Sequence, residues 1–249
     1  MLVTMYPMGD RLRARAVENL RSFDPVAVER DDLRRAAVAL VIVGAGIAGG
    51  DAATSPGHGR DRSGSRTGTP DRAEAIGGTP DPDPDPRDAA FLLTRRAAGL
   101  RAHPGQWALP GGRLDGDEDP ASAARREVAE ELGLRIGAEQ VLGVLDDFPT
   151  RSGYAMTPVV LWGPGSGVID ANPDEVESVR VVPLAQLDHP ESPSFERIPE
   201  SEAPIIRMRL SDRWINAPTA AILYQFREVV LHGRPTRVAH YEQPVWAWK

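Results

Sequence analysis

Three glutamates, Glu127, Glu130 and Glu131, stand at i, i+3 and i+4 within the stretch "RREVAEEL". On a helix this spacing sets three carboxylates on one face, within reach of a common point. Like charges so close repel, which costs helix stability unless something positive sits among them. Hard oxygen donors of this kind suit Mg2+ or Mn2+, ions that keep several waters and bind substrate phosphates. The same run also fits a plain solvated charged face, and spacing alone leaves both readings open.

The elements that must position these groups are marked in the chain. Asp119 before Pro120 is a helix start and Gly133 a helix stop, with Val128 and Leu132 turned away from the acids and available to a core. Strands are expected at Ala36 to Val43, Ala89 to Arg95, Gln140 to Asp146, Ala155 to Gly163 and Val176 to Val182. A first amphipathic helix over residues 10 to 22 presents Leu12, Ala16, Val17 and Leu20 behind an Asp10 cap. A last helix runs from Pro218 to His232, closed by Gly233, with Ile222, Leu223, Phe226, Val229 and Val230 as core. Trp246 and Trp248 alternate across Ala247 with the period of a half-buried strand, which points to packing or a homodimer contact.

The run "VALVIVGAGIAGGD" carries Gly44, Gly46 and Gly49 at the spacing of a dinucleotide-binding turn. That turn needs a helix directly after it, whose free N–H groups hold the pyrophosphate. Here the chain instead enters a tract of Gly, Ser, Pro, Asp and Arg ending in "PDPDPDP", too poor in apolar residues to form helix or central strand. The glycines therefore read as the end of a core strand. Residues 44–88 read as a long disordered low-complexity insertion, an overgrown loop between neighbouring strands.

Composition narrows the classes. The 249 residues carry 41% hydrophobic residues and a net charge of −7 with no basic block, which speaks against a nucleic-acid partner. Lys249 is the only lysine, so an anionic substrate would be met locally by arginines, which suit bidentate phosphate contacts. The absence of cysteine excludes disulfides and thiol catalysis, and the five histidines show no zinc-ligand spacing. No stretch has the length of a membrane span and the N-terminus lacks a signal pattern, so a cytoplasmic protein without membrane association is expected.

The acids belong to a longer pattern. Gly112, five residues, Glu118, seven residues, then Arg126-Glu127-Val128-x-Glu130-Glu131-x-Gly133-Leu134 resembles the Nudix box, G-x5-E-x7-R-E-U-x-E-E-x-G-U, at every position. The resemblance implies an α/β/α sandwich around a mixed β-sheet, with the box as loop, helix and loop, and hydrolysis of nucleoside diphosphates linked to another moiety. By motif position Glu127, Glu130 and Glu131 are the implied ligands of Mg2+ or Mn2+, with Gly112 offering a backbone carbonyl, and Arg126 and Glu118 the implied supports. The general base is left among Glu127, Asp174, Glu175 and Glu177.

The flank resembles a further motif, that of the coenzyme A pyrophosphatases, over "LLTRRAAGLRAHPGQWALPGGRLD", residues 92 to 115. Leu92, Leu93, Thr94, Arg96, Leu100, His103, Gly105, Pro110, Gly111, Gly112 and Asp115 match; Ala97 stands for a serine and Leu109 for a phenylalanine. The implied substrate is coenzyme A or its acyl derivatives, with Arg95, Arg96, His103, Gly111 and, in the turn Thr150 to Tyr154, Arg151 facing it. Other nucleoside diphosphate derivatives and a noncatalytic ligand-sensing module are the alternatives; decay of the box usually accompanies the latter, and here the box is intact. The expected organisation is an N-terminal helix and lead-in (1–35), the hydrolase domain (36–210) and a C-terminal helical extension (211–249), packed together.

Overall fold

The computed structural model describes residues 4–49, 51–52, 85–100, 105–211 and 213–248. In chain order its elements are α1 (Asp10–Arg21), β1 (Arg34–Gly44), β2 (Asp51–Ala52), β3 (Ala89–Arg96), β4 (Trp107–Ala108), β5 (Gly111–Arg113), α2 (Pro120–Leu132), β6 (Val141–Val144), β7 (Phe148–Pro149), β8 (Tyr154–Trp162), β9 (Val176–Pro183), α3 (Leu184–Leu187), β10 (Pro193–Ile198), β11 (Ser201–Leu210), β12 (Arg213–Asn216) and α4 (Thr219–Phe226). The main sheet runs β2-β9-β3-β1-β8-β6, with β4 on β3, β5 on β1 and β7 on β8. It is mixed: β1 pairs parallel with β8 and antiparallel with β3.

Alternation along β1 divides the core into two layers. Ala37, Ala39, Val41 and Val43 pack with Ala123, Ala124, Val128 and Leu132 of α2, while Val38, Leu40 and Ile42 face the other side. There they meet Leu12, Ala16 and Leu20 of α1, Ile222, Leu223 and Phe226 of α4, and Ile206, Met208 and Leu210 of β11. The result is the expected α/β/α arrangement around a mixed sheet. Val128 and Leu132 are fully buried, each contributing about 1.5–3 kcal/mol of apolar burial that fixes the acid-bearing helix on the sheet.

The ends of the insertion lie side by side. β1 and β3 are antiparallel neighbours with Gly44 opposite Ala89, and the Ala45 N–H donates to the Asp88 carbonyl at 2.7 Å. Among the described residues no helix directly follows Gly44; the chain turns, and a Cβ at Gly44 would overlap the Gly165 carbonyl oxygen. Close backbone packing thus accounts for this glycine. Residues 53–84 of the insertion lie outside the described residues.

Several expectations need correction. The N-cap of α1 is Gly9, with Asp10 as the first helical residue, and no side chain caps the helix. Ser211, with φ 55°, turns β11 into β12, and a three-stranded sheet, β10-β11-β12, forms over residues 193–216, where no strands were expected. Its β11–β12 pairing spans the boundary placed at 210. The signal was in "IIRMRL", where Ile206, Met208 and Leu210 are buried and Arg207 and Arg209 are not. The last helix starts where expected but changes at Arg227–Leu231 to a π-helical turn before Gly233, whose φ of 68° closes it. Val245–Trp248 is a 3-10 turn, not a strand, and Trp246 is exposed. Among the described residues no helix is long and apolar enough to cross a membrane.

Candidate active site

Helix α2 is capped at both ends as its sequence predicts. Asp119 Oδ1 accepts from the Ala121 and Ser122 N–H groups at 2.9 and 3.1 Å, and Gly133 leaves the helix at φ 67°. Two of its last carbonyls find partners outside the helix: Asn172 N–H donates to the Glu131 carbonyl at 2.9 Å and Asp170 N–H to that of Leu132 at 3.1 Å. These bonds seat the loop 170–175 against the acid-bearing end of α2. On the N-terminal side, β5 pairs Gly111 with Val38 and Gly112 with Ala37 of β1. The Gly112 backbone is so near the Glu127 carboxylate that a Cβ there would overlap Glu127 Oε1.

The three box glutamates have different surroundings. The Glu130 side chain is 54% exposed and that of Glu127 13%, while Glu131 is buried. Burial pushes Glu131 up to about 8, reinforced by the charges of Glu127 and Glu175, against a bond from the Gly111 N–H and the charge of Arg96. Burial likewise raises Glu127, opposed by a bond from Arg126. Glu131 Oε2 is buried with no hydrogen-bond partner among the described residues. A buried carboxylate oxygen without a donor costs about 1–3 kcal/mol or more, and an oxygen-coordinated cation would satisfy it.

Arg126 organises this face. Its Nη1 donates to Glu127 Oε1 at 2.8 Å and Glu130 Oε2 at 3.1 Å; its Nη2 donates to Glu118 Oε2 at 2.9 Å and to the Arg113 carbonyl at 3.0 Å. One guanidinium thus ties the loop 113–118 to the helix and supplies the positive charge that the acids require. The bond from Arg126 holds Glu118 below the usual carboxylate range. With Glu130 drawn to Arg126, no group of three acidic or imidazole side chains among the described residues is arranged to hold an ion. The donor chemistry nevertheless fits a hard divalent ion, through Glu131 Oε2, Glu127 and the adjoining Gly112 backbone.

The other expected residues divide. Arg96, at the end of β3 opposite Val176, lies close enough for its charge to act on Glu131. Arg95 is turned elsewhere, to Glu177 at 3.0 Å and the Gly105 carbonyl at 3.2 Å. His103 lies outside the described residues. Arg151 is not gathered with the acids: both ends of its guanidinium donate to Glu242, Nε at 3.1 Å. Of the loop acids, Glu175 acts on both Glu127 and Glu131, Glu177 is paired with Arg95, and Asp174 is exposed. The Arg113 carbonyl and Glu242 are the partners that sequence reasoning missed. The first is a backbone atom and the second lies 91 residues from Arg151, so neither leaves a local signal.

The NUDIX domain model matches residues 83–201. Proteins called "Uncharacterized Nudix hydrolase NudL" from Escherichia coli K12 and from Shigella boydii serotype 18 are each 43% identical over 100 residues, which is 40% of this chain and 52% of the relative. The match thus spans about half the length of these curated relatives. A MutT/nudix family protein from Enterococcus faecalis superposes with a TM-score of 0.42 at 15% identity, covering 84% of this chain and 67% of the other. The NUDIX domain of Shewanella oneidensis NrtR, crystallised with ADP ribose, gives a TM-score of 0.35 at 17% identity, covering 68% of this chain and 82% of the other. The complete box lies inside the matched region, so residues 83–201 of this chain are similar to the NUDIX domain.

Proposed function

We propose that this chain is a cytoplasmic, Mg2+- or Mn2+-dependent pyrophosphohydrolase that cleaves coenzyme A or acyl-coenzyme A to 3',5'-ADP and a 4'-phosphopantetheine. The observation that carries it is the buried, unpartnered Oε2 of Glu131 at the centre of an intact box. Glu131 and Glu127, with Glu130 and the Gly112 carbonyl, would hold the ion. A bound divalent ion would neutralise the pyrophosphate and activate the attacking water.

The chain's own residues supply the rest. Arg126 gathers Glu118, Glu127 and Glu130 around one positive charge, and Glu130 would turn from it to join the ion. Arg96 and His103 would pair with the 3'-phosphate of the adenosine moiety, with Arg95 as a further cation of the same flank. Gly111 lets β5 pack closely on β1, since a Cβ there would overlap the Ala37 carbonyl oxygen. Glu175, brought to the acids by the Asn172 bond, would accept the proton of the attacking water as its oxygen bonds to one phosphorus and the bridging P–O bond of the anhydride breaks, the bridging oxygen leaving on the other phosphate.

Ala97 favours a second reading. It puts a methyl where the subgroup motif has a hydroxyl, and its N–H is already bonded to the Glu175 carbonyl at 2.9 Å. A Nudix pyrophosphatase for ADP-ribose, NADH or a nucleotide sugar would not need that donor. A panel of substrates with Mg2+ separates the two. We expect coenzyme A to exceed 3'-dephospho-coenzyme A, ADP-ribose and NADH in kcat/KM, and Arg96→Ala to shrink that preference by about ten-fold or more. A wild-type preference for ADP-ribose, with no cleavage of coenzyme A, would discard the first reading and keep the second.

A further inference from the structure

A cavity of about 510 Å3 opens on the part of the molecule built after residue 193, lined by Phe195, Arg197, Pro204, Tyr224, His240 and Tyr241. Its walls come from β10, β11, α4 and the segment after α4, and none carries a box residue. The volume lies in the range of small-molecule sites, roughly 300–1,000 Å3.

The lining is a set of aromatic faces held in place by one another. Phe195 meets Tyr224 edge to face at 5.4 Å and 79°, and lies tilted against Tyr241 at 5.5 Å; His240 lies against Tyr241 at 4.1 Å. Aromatic side chains packed in this way lose little entropy when a further ring stacks on them. Phe195 nevertheless stays 49% exposed, so an aromatic face remains for a ligand to cover.

The charge in the cavity has one sign. Arg207 is paired with Glu196 and Arg234 with Glu228, which occupies the neighbouring carboxylates. Arg197 lines the cavity with no ion-pair partner among the described residues, and His240 adds a second cationic or hydrogen-bonding group. The phenols add no negative charge at neutral pH, since burial raises both Tyr224 and Tyr241, the latter to about 12.

We propose that this cavity binds a mononucleotide, a flat heteroaromatic ring bearing a phosphate, with the ring stacked on Phe195 and Tyr241 and the phosphate paired with Arg197. Stacking on aromatic faces tolerates any base, so the ring is specified by shape and the anion by Arg197. The site does not depend on which substrate the box acids hydrolyse, or on whether they do.

The test titrates 5'-AMP into the full chain by calorimetry in excess EDTA, with adenosine and ribose 5-phosphate as partial ligands. Saturable binding of AMP with a Kd below about 1 mM is expected, with each partial ligand about ten-fold weaker or more. Arg197→Gln and Tyr241→Leu should each weaken AMP about ten-fold, and Glu131→Gln should leave it unchanged. Should Tyr241→Leu not fold, Arg197→Gln at an exposed position decides, because it should abolish the advantage of AMP over adenosine. No AMP binding, binding indifferent to Arg197→Gln, or binding lost in Glu131→Gln would overturn the proposal.

Discussion

The box glutamates show how far identity and spacing reach. Their helical face, its Asp119 cap and its Gly133 stop were legible because each depends on residues within a turn or two. The difference between Glu130, exposed and held by Arg126, and Glu131, buried with an unpartnered oxygen, was not legible. It arises from β5, just ahead of the helix but paired with β1, and from the 170–175 loop, which reaches the helix from a distant part of the chain. Burial of a carboxylate without a cation disfavours folding, as the upward displacement of Glu131 to about 8 indicates. In chelator at pH 8.5, Glu131→Gln should therefore raise the Tm by several degrees, measured by calorimetry. Adding Mn2+ should raise the wild-type Tm and leave that of Glu131→Gln nearly unmoved. A lower Tm for the variant in chelator, or equal gains with Mn2+, would contradict the role given to this oxygen.

At the scale of elements, periodicity located β1, β3, β6, β8 and β9 of the main sheet and missed its short strands β2, β4, β5 and β7 and the whole of the small sheet. β1 was plain because nine consecutive apolar or small residues fill both faces of a central strand. β10 and β12 are short and carry charged or aromatic residues on their open face, so the alternation in β11 had no neighbours to corroborate it. This small sheet leads to a tie that reaches the main one. Glu242, bridged in backbone register to Ile205 of β11, accepts from Arg151 in the turn before β8. The bond from Arg151 holds Glu242 below the ordinary carboxylate range. A carboxylate so lowered gives stability above its unfolded pKa, about 4.3, and that stability is lost as pH falls through the folded value. Glu242→Gln should thus lower the Tm by a few degrees at pH 7, with the gap from wild type closing below about pH 4. A gap that is constant with pH would show that the ion pair contributes nothing beyond packing.

For the whole molecule, the glycines of "GAGIAGG" carried the largest risk of misreading. Their spacing matches a nucleotide-binding turn, yet Gly44 is required by the Gly165 backbone and the chain after it turns back toward β3. What followed the motif argued against that turn, and a second, longer motif, whose context is present, marks the candidate site. That context is a helix fixed on a mixed sheet, an arginine binding three of its neighbouring acids, and a loop tied to the helix end. We propose that these parts together hydrolyse the pyrophosphate of coenzyme A. Mass spectrometry of coenzyme A incubated with the protein and Mg2+ in H2(18)O tests it most directly. The expected products are 3',5'-ADP and 4'-phosphopantetheine with one 18O on a new phosphate, formed by wild type, slower by orders of magnitude in Glu131→Gln and abolished by EDTA. Coenzyme A recovered intact from the wild type with Mg2+, or cleaved equally well by Glu131→Gln, would contradict it.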